Sequence, residues 1–272
     1  MDKRSLVFYL SGLAAAGAVV ALAASCSDQP RIKCTAGHGA FAAVFTSSTP
    51  CMPPGEPMGV EAYNYPLPDN TNLDPNRGSL GIAPLDLHHQ IDIHPGSAAD
   101  SNTAHNKWSL GDWLTPEPAA DNFCTVKEPY DTEQVLGYIP EVPPGPDGGG
   151  GEEAVPTFSA KYHWTSVRFY NTPNFPGNQM VADLDLTFTQ GLEDGGAGTP
   201  CTGSVHVVGL WPMVGCEADD PADPDGIDET KCSPEPDNSK GRPTGSGISP
   251  DLKTRCDPVL KLCVLPGEPQ TL

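Results

Sequence analysis

Basic side chains are scarce in this sequence, and only one long apolar run is present. Lys and Arg number 15 against 35 Asp and Glu, so the formal net charge is −20. A surface this acidic repels nucleic-acid phosphates and anionic lipid head groups, and we therefore expect no nucleic-acid partner. Acidity otherwise favours solubility and identifies no particular substrate.

Motifs for the common catalytic chemistries are also missing. The sequence has no glycine-rich phosphate loop, no H-E-x-x-H pair and no C-x-x-C. Ser246 lies between glycines in PTGSGISP, but without the spaced G-x-S-x-G turn between strand and helix that activates a serine. We therefore expect a non-enzymatic protein. A hydrolase whose catalytic residues are dispersed along the chain is the alternative.

The one long apolar run lies at the N-terminus and is typical of an export signal. Lys3 and Arg4 precede an apolar stretch from about residue 6 to residue 24, which ends in small side chains. Roughly 19 apolar residues could also cross a bilayer as a retained helix. The glycines and serine within the run and its abrupt small-residue end favour a cleaved signal over residues 1–25.

Two cleavage chemistries compete where this run ends. Ala21-Leu22-Ala23 is an A-x-A site, and cleavage there would release a soluble protein that begins at Ala24. The stretch Ala23-Ala24-Ser25-Cys26 instead resembles the lipobox of bacterial lipoproteins, although the usual Leu lies one place early, at Leu22. That resemblance implies that Cys26 becomes the lipidated first residue of the mature chain. Residues 26–33 are polar and suit a tether.

Cysteine parity favours the lipoprotein interpretation. An exported chain meets an oxidising compartment, in which an unpaired thiol is a liability. If Cys26 carries lipid, eight cysteines remain and can form four disulfides, whereas release at Ala24 leaves one odd thiol. The remaining eight are Cys34, Cys51, Cys124, Cys201, Cys216, Cys232, Cys256 and Cys263.

Nearness along the chain is the only guide to which cysteines pair. It predicts Cys34 with Cys51, Cys216 with Cys232, and Cys256 with Cys263, which leaves Cys124 with Cys201. Each bond could contribute about 2–4 kcal/mol, which is useful where glycine and proline thin the core.

The clearest structural signal is the strict alternation in VADLDLTFT, residues 181–189. Apolar side chains fall on one face and Asp and Thr on the other, as in a half-buried antiparallel strand. Residues 204–211 and 157–164 alternate similarly, with a change of phase after Trp164 that suggests a bulge. Shorter candidate strands are residues 40–46, 59–65 and 133–139.

These strands, separated by turns rich in glycine and proline, predict an all-β fold. We expect an antiparallel sandwich or barrel-like domain over residues 34–272, with long Pro/Gly-rich loops and disulfides. The low-complexity stretch at 143–155 is a linker or long loop that could separate two subdomains.

Histidines and acidic residues cluster in LDLHHQIDIHP, residues 85–95. Residues two apart on a strand lie roughly 6.6 Å apart, so Asp86 with His88, or Asp92 with His94, could each supply two ligands to Ca²⁺ or Zn²⁺. A third ligand would have to come from another strand. The alternative is the polar outer face of an ordinary strand. The acidic stretch 219–228 resembles calcium loops in composition but does not fit the EF-hand register.

Two of the four tryptophans are candidates for stacking on a carbohydrate. Trp164 and Trp211 fall on predicted inward faces, which leaves Trp108 and Trp113. Core or subdomain contacts are the alternative for these two side chains.

Taken together, the lipobox, the even set of cysteines and the β body rich in Pro, Gly and Asp resemble secreted lipoproteins of envelope-rich bacteria such as myxobacteria. The resemblance implies a lipid-anchored protein at the outer membrane or cell surface, because Ser27 follows the lipidated cysteine. It implies a structural or binding role there, with an envelope protein or glycan as partner. A metal- or carbohydrate-binding module is the alternative.

Overall fold

Eleven strands and two short 3-10 turns make up the regular structure of the described residues in this computed structural model. The structure describes residues 32–66, 73–85, 108–129, 131–141, 143, 154–191, 196, 198–219 and 226–271. The strands are β1 (Gly39–Thr46), β2 (Gly55–Pro66), β3 (Leu73–Pro84), β4 (Ser109–Trp113), β5 (Phe123–Lys127), β6 (Thr132–Leu136), β7 (Phe158–Asn171), β8 (Pro176–Gln190), β9 (Cys201–Leu210), β10 (Arg255–Asp257) and β11 (Leu262–Val264).

The first nine strands form one antiparallel sheet that closes on itself. Its order is β5-β4-β3-β2-β1-β9-β8-β7-β6, and β5 pairs in addition with β7. Because β5 lies beside residues 168–170 of β7 and β6 beside residues 158–162, the two short strands follow one another along the same edge of β7. The all-β prediction is confirmed, and of its two forms the closed sheet is the barrel-like one.

Alternation along the strands determines which side chains fill the closed sheet. In β8, Leu184 and Leu186 are buried while Asp183 and Asp185 face outward, as predicted for this strand. The predicted bulge in β7 is confirmed as a register shift between Trp164 and Ser166. The core inside the sheet contains aromatic and aliphatic side chains from every one of the strands β1 to β9 except β4, whose Trp113 packs against it.

A second region follows β9. In residues 213–271, here called the C-terminal segment, the described part contains as regular elements β10, β11 and the 3-10 turns Glu229–Cys232 and Asn238–Lys240. Its buried side chains form a separate cluster, which includes four cysteines and which packs on outward-facing residues of the sheet such as Tyr170 and Leu210. The segment therefore lies against the outside of the closed sheet.

All eight predicted cysteines form disulfides, but the pairing expected from chain nearness is wrong at every bond. The bonds are Cys34–Cys124, Cys51–Cys201, Cys216–Cys256 and Cys232–Cys263. Nearness fails because the sheet brings distant segments together. The first two bonds join residues 90 and 150 positions apart. The last two hold each strand of the β10–β11 pair to a segment that precedes it.

Most of the predicted linker, 143–155, lies outside the described residues. The strands on either side of it, β6 and β7, pair with each other, and Ile139 forms a bridge with Val155. Residues 33–272 form one compact unit, and of a separate unit at residues 1–32 only Ile32 is described. Among the described residues, no helix has the length and apolarity needed to cross a bilayer.

Candidate functional site

Outward-facing side chains of β7, β8 and β9 gather into a polar patch. In the sheet register, His163 of β7 lies opposite Asp185 of β8, which lies opposite Ser204 of β9. One step along, Asp183 lies opposite His206. With Asp131 before β6 and Glu268 near the C-terminus, these seven side chains are here called the histidine–carboxylate face.

His206 connects two parts of the chain. Its Nδ1 lies 2.7 Å from Oδ1 of Asp183 in the sheet, and its Nε2 lies 2.9 Å from Oε1 of Glu268 in the C-terminal segment. Partial burial lowers the pKa of His206, but the hydrogen bonds and charges of the two carboxylates outweigh that effect and raise it. His206 therefore links the sheet to the C-terminal segment through its contacts with Asp183 and Glu268.

A second polar contact holds the residues around Glu268 to the sheet. Gln179 of β8 is fully buried, and its Nε2 donates to the carbonyl oxygen of Gln270 at 3.1 Å. The backbone N–H of Gln270 donates in return to Oε1 of Gln179 at 2.7 Å. Glu268 is therefore positioned by a neighbouring buried hydrogen-bond pair.

The second imidazole of the face is more exposed. Nδ1 of His163 lies 2.7 Å from Oδ1 of Asp131. This hydrogen bond and the charge of Asp131 raise the pKa of His163. Both partners lie in or beside the closed sheet, so this pair makes no connection to the C-terminal segment.

Two surface grooves meet at Asp183. The larger, of about 510 Å³, runs over β8 and β9 between the loop after β1 and Thr165; the smaller, of about 290 Å³, lies between the sheet and Glu268. The larger groove is lined by Thr46, Ser47, Ser48, Thr165, Asp183, Leu184, Asp185, Ser204, Val205 and His206. Seven of these ten residues carry a carboxylate or a hydroxyl, so the groove offers hydrogen-bond acceptors, although most of its exposed lining is apolar.

The contacts of the face argue against nucleophilic catalysis at this patch. Ser204 donates to Asp185 at 2.6 Å, and a serine is activated by an imidazole base and not by a carboxylate acceptor alone. Both ring nitrogens of His206 are engaged by carboxylates. Asp183 contacts Nδ1 and Glu268 contacts Nε2, so the two carboxylates do not converge on the same ring nitrogen.

One group of possible metal ligands does converge within the described part of the chain. The sulfurs of Cys216, Cys232 and Cys263 lie within 4.8 Å of one another. All three are engaged in disulfides, so they are not available as thiolate ligands in this structure.

The predicted metal ligands Asp86, His88, Asp92 and His94 lie outside the described residues. The acidic stretch is described only at its ends. There Asp219 pairs with Lys231 at 2.6 Å, and Asp228 accepts from Lys240 at 2.8 Å. The hydrogen bond from Lys240, together with those from Thr230, holds the pKa of Asp228 well below its usual range.

The structure separates the two candidate stacking tryptophans. Trp113 points inward and packs edge-on against Phe169, with ring centroids 5.9 Å apart. Trp108 lies on the outer face, close to two glycines. The Cβ of any side chain at Gly81 would lie 3.2 Å from its ring, and that of a side chain at Gly59 would lie 3.4 Å from it. The lack of a side chain at Gly81 therefore leaves room for the indole beside β3.

The histidine–carboxylate face was missed as a site by sequence reasoning, although its parts were visible. Asp183 and Asp185 were assigned to an outward face, and His163 and His206 alternate with inward residues in their own strands. The register of β7, β8 and β9 could have placed them side by side. Nothing in the sequence indicates that Glu268 returns to this sheet.

Comparison with known proteins identifies a family for the sheet. The MlpA family model matches residues 41–212. The match begins within β1 and ends two residues after β9, so it spans the closed sheet and stops before the C-terminal segment. No curated protein and no solved structure matches the chain.

Proposed function

We propose, from the premise that this chain belongs to the MlpA family, that it is a non-enzymatic, lipid-anchored protein of the cell envelope. In this proposal Cys26 carries the lipid after removal of residues 1–25, and the closed sheet has a structural or binding role at the outer membrane or cell surface. The observation that carries the proposal is the complete pairing of the other eight cysteines. None of them is left as a partner for Cys26, the ninth.

Four disulfides also support an exported location. Such bonds persist in oxidising compartments and are rare where thiols are kept reduced. Three of them join residues 40 to 150 positions apart, so they hold together strands and segments that a reducing compartment would leave unlinked. An N-terminal signal that delivers the chain to such a compartment agrees with this pattern.

The short tether limits where the domain can work. Cys26 lies eight positions before the first disulfide-bonded cysteine, Cys34, and an extended chain over that distance spans at most roughly 28 Å. The domain would therefore remain close to the bilayer. Its negative charge repels anionic head groups, which favours a domain held off the lipid surface and facing other envelope components.

The histidine–carboxylate face supports a binding role more than a catalytic one. Asp183 and Glu268 are more than half exposed, while Ser204 has a carboxylate and no imidazole as its partner. We assign this face to partners that present hydroxyl or amino groups, such as an envelope glycan or a basic protein segment.

Metabolic labelling with a radioactive fatty acid, followed by membrane fractionation, tests the anchor. We expect label in the wild type and in the control Ser27→Ala, both in the outer-membrane fraction. Cys26→Ala removes the acceptor thiol and is expected to abolish the label and to release the domain from the outer membrane. An unlabelled, soluble wild type beginning at Ala24 would overturn the proposal.

The metal-binding alternative has its own test, because its predicted ligands at Asp86, His88, Asp92 and His94 lie outside the described residues. Thermal unfolding is measured with Ca²⁺, Zn²⁺ or Mg²⁺ and after chelation. A rise in melting temperature with Ca²⁺ or Zn²⁺ that is lost in Asp86→Asn/His88→Gln would favour a metal-binding module. An unchanged melting temperature favours the structural or binding role without metal.

A further inference from the structure

We propose that the four cysteines of the C-terminal segment form a thiol–disulfide exchange site, at which a small external thiol interconverts two disulfide pairings. The pairing in the structure is Cys216–Cys256 with Cys232–Cys263. The second is Cys216–Cys232 with Cys256–Cys263. This inference goes beyond the anchor and the binding role and does not depend on either.

The first observation is the closeness of the two bonds. The sulfur of Cys216 lies within 4.8 Å of both sulfurs of the Cys232–Cys263 bond, although Cys216 itself is bonded to Cys256. Thiol–disulfide exchange requires a thiolate that reaches a disulfide sulfur. A thiolate freed at Cys216 would need to move only a few ångströms to attack the neighbouring bond.

The second observation is the register of β10 and β11. Cys256 lies directly opposite Cys263 in this antiparallel pair. Directly opposed residues of an antiparallel pair have Cα atoms about 4.5–5.5 Å apart, and disulfides commonly join Cα atoms about 4.4–6.8 Å apart. Cys256 and Cys263 therefore already lie within reach of the bond that the second pairing requires.

The exchange can be written with every bond balanced. An external thiolate attacks Cys256, and Cys216 leaves as a thiolate. Cys256 and Cys232 are slightly less buried than Cys216 and Cys263. Cys216 attacks Cys232, a disulfide forms between them, and Cys263 leaves as a thiolate. Cys263 then attacks Cys256 and expels the external thiol. Two disulfides are present before and after, so no net oxidant or reductant is consumed.

The two pairings connect the segment differently. In the structure, the bonds join residues 40 and 31 positions apart and hold both β10 and β11 to the stretch that contains the 3-10 turn Glu229–Cys232. The second pairing would close residues 216–232 and residues 256–263 into two separate loops. The exchange would therefore free the β10–β11 pair from its covalent link to the preceding acidic stretch.

The disulfides of the closed sheet provide an internal control. Among the described residues, Cys34, Cys51, Cys124 and Cys201 belong to no cluster of converging sulfurs. A thiol freed at one of them has no second disulfide beside it. Exchange is therefore expected in the C-terminal segment and not in the sheet.

A single substitution tests the proposal without an external thiol. Cys256→Ser leaves Cys216 as a free thiol beside the Cys232–Cys263 bond. The folded variant is held at neutral pH, trapped with an alkylating agent and digested with trypsin. Cleavage after Lys231, Arg255 and Lys261 places Cys216, Cys232, Cys256 and Cys263 on separate peptides. We expect the label to move from Cys216 to Cys263, the thiol that leaves when Cys216 bonds to Cys232.

The matched control is Cys124→Ser, in which the label is expected to remain on Cys34. Label that stays entirely on Cys216 in folded Cys256→Ser would overturn the proposal. If that variant does not fold, the wild type is incubated with reduced glutathione and its disulfide-linked peptides are mapped. Linked peptides of Cys216 with Cys232 and of Cys256 with Cys263 are expected, and their complete absence would also overturn the proposal.

Discussion

The closed sheet and the C-terminal segment of this protein are each stabilised by a different balance of interactions. Strands of the sheet reach 15 residues, and their inward side chains form a continuous apolar core. The C-terminal segment has two strands of three residues each, and cysteines are prominent among its buried side chains. The MlpA family model covers the first region and ends before the second. Hydrophobic burial is therefore the main support of the sheet, which also has two disulfides, whereas disulfides provide a larger share of the support in the C-terminal segment.

Among the substitutions that test this contrast, Phe169→Ala is expected to have the largest effect on the free energy of unfolding. Phe169 is fully buried in the sheet, between Phe41 and Trp113. Its truncation leaves a cavity and is expected to lower the free energy of unfolding by about 3–5 kcal/mol, measured by urea denaturation. The control is Val259→Ala in the C-terminal segment, where the side chain is 69% exposed and a change below about 0.5 kcal/mol is expected. Equal effects at the two positions would contradict the contrast.

A smaller but local effect is expected when one disulfide of the C-terminal segment is removed. The double variant Cys216→Ser/Cys256→Ser is expected to lose about 2–4 kcal/mol of stability. Hydrogen exchange should place the loss within residues 213–271 and leave the amides of β8 protected, because β8 lies between β7 and β9 and depends on neither cysteine. Loss of protection in β8 to the same extent would show that the two regions unfold as one.

The two regions are also joined by His206, and that contact is expected to depend on pH. Because the folded pKa of His206 is raised above about 6.5, its contribution is complete below pH 6.5 and disappears as pH rises through the folded value. Exposed ion pairs contribute at most about 1 kcal/mol, so the effect is modest. Melting temperatures of wild type and His206→Gln should therefore differ at pH 5.5 and converge near pH 9.

His163→Gln is the matched control for that experiment. His163 pairs with Asp131 and makes no contact with the C-terminal segment. The protection factors of the amides in residues 266–271, which correct for the intrinsic pH dependence of exchange, should change with pH in the wild type and in His163→Gln, but not in His206→Gln. An equal response in all three proteins would contradict the assignment of His206 as the pH-dependent link.

The smallest effect is expected at the surface of the sheet region. Lys33 and Glu117 form an ion pair at 3.1 Å, and both side chains are more than a third exposed. Lys33→Ala should change the free energy of unfolding by about 0.5 kcal/mol or less in urea denaturation. A change of several kcal/mol would contradict the view that this exposed ion pair contributes little to stability.

Parts of this fold could be predicted because alternation alone determines them. Residues 181–189 lie in a strand, as do all but the last residue of 204–211 and all but the first of 157–164, and the phase change after Trp164 is a bulge. Strands β3, β4 and β5 could not be predicted. β4 and β5 have only five residues each, and β3 contains prolines and glycines that weaken its pattern.

The candidate site depends on contacts between distant residues, which a single sequence does not contain. His206 and Glu268 are 62 positions apart, and their contact exists because the C-terminal segment packs on the outside of the sheet. The predicted disulfide pairs are wrong for the same reason. Only the identity of the bonded cysteines follows from counting them.

Intact-mass analysis of the mature protein from its native membrane fraction, before and after reduction and alkylation, tests the central claim most directly. The account predicts a chain that begins at an acylated Cys26 and in which eight thiols appear only on reduction. A chain that begins at an unmodified Ala24, with one thiol free before reduction, would contradict it. The protein would then be a soluble exported one, with Cys26 available to form a disulfide with another molecule.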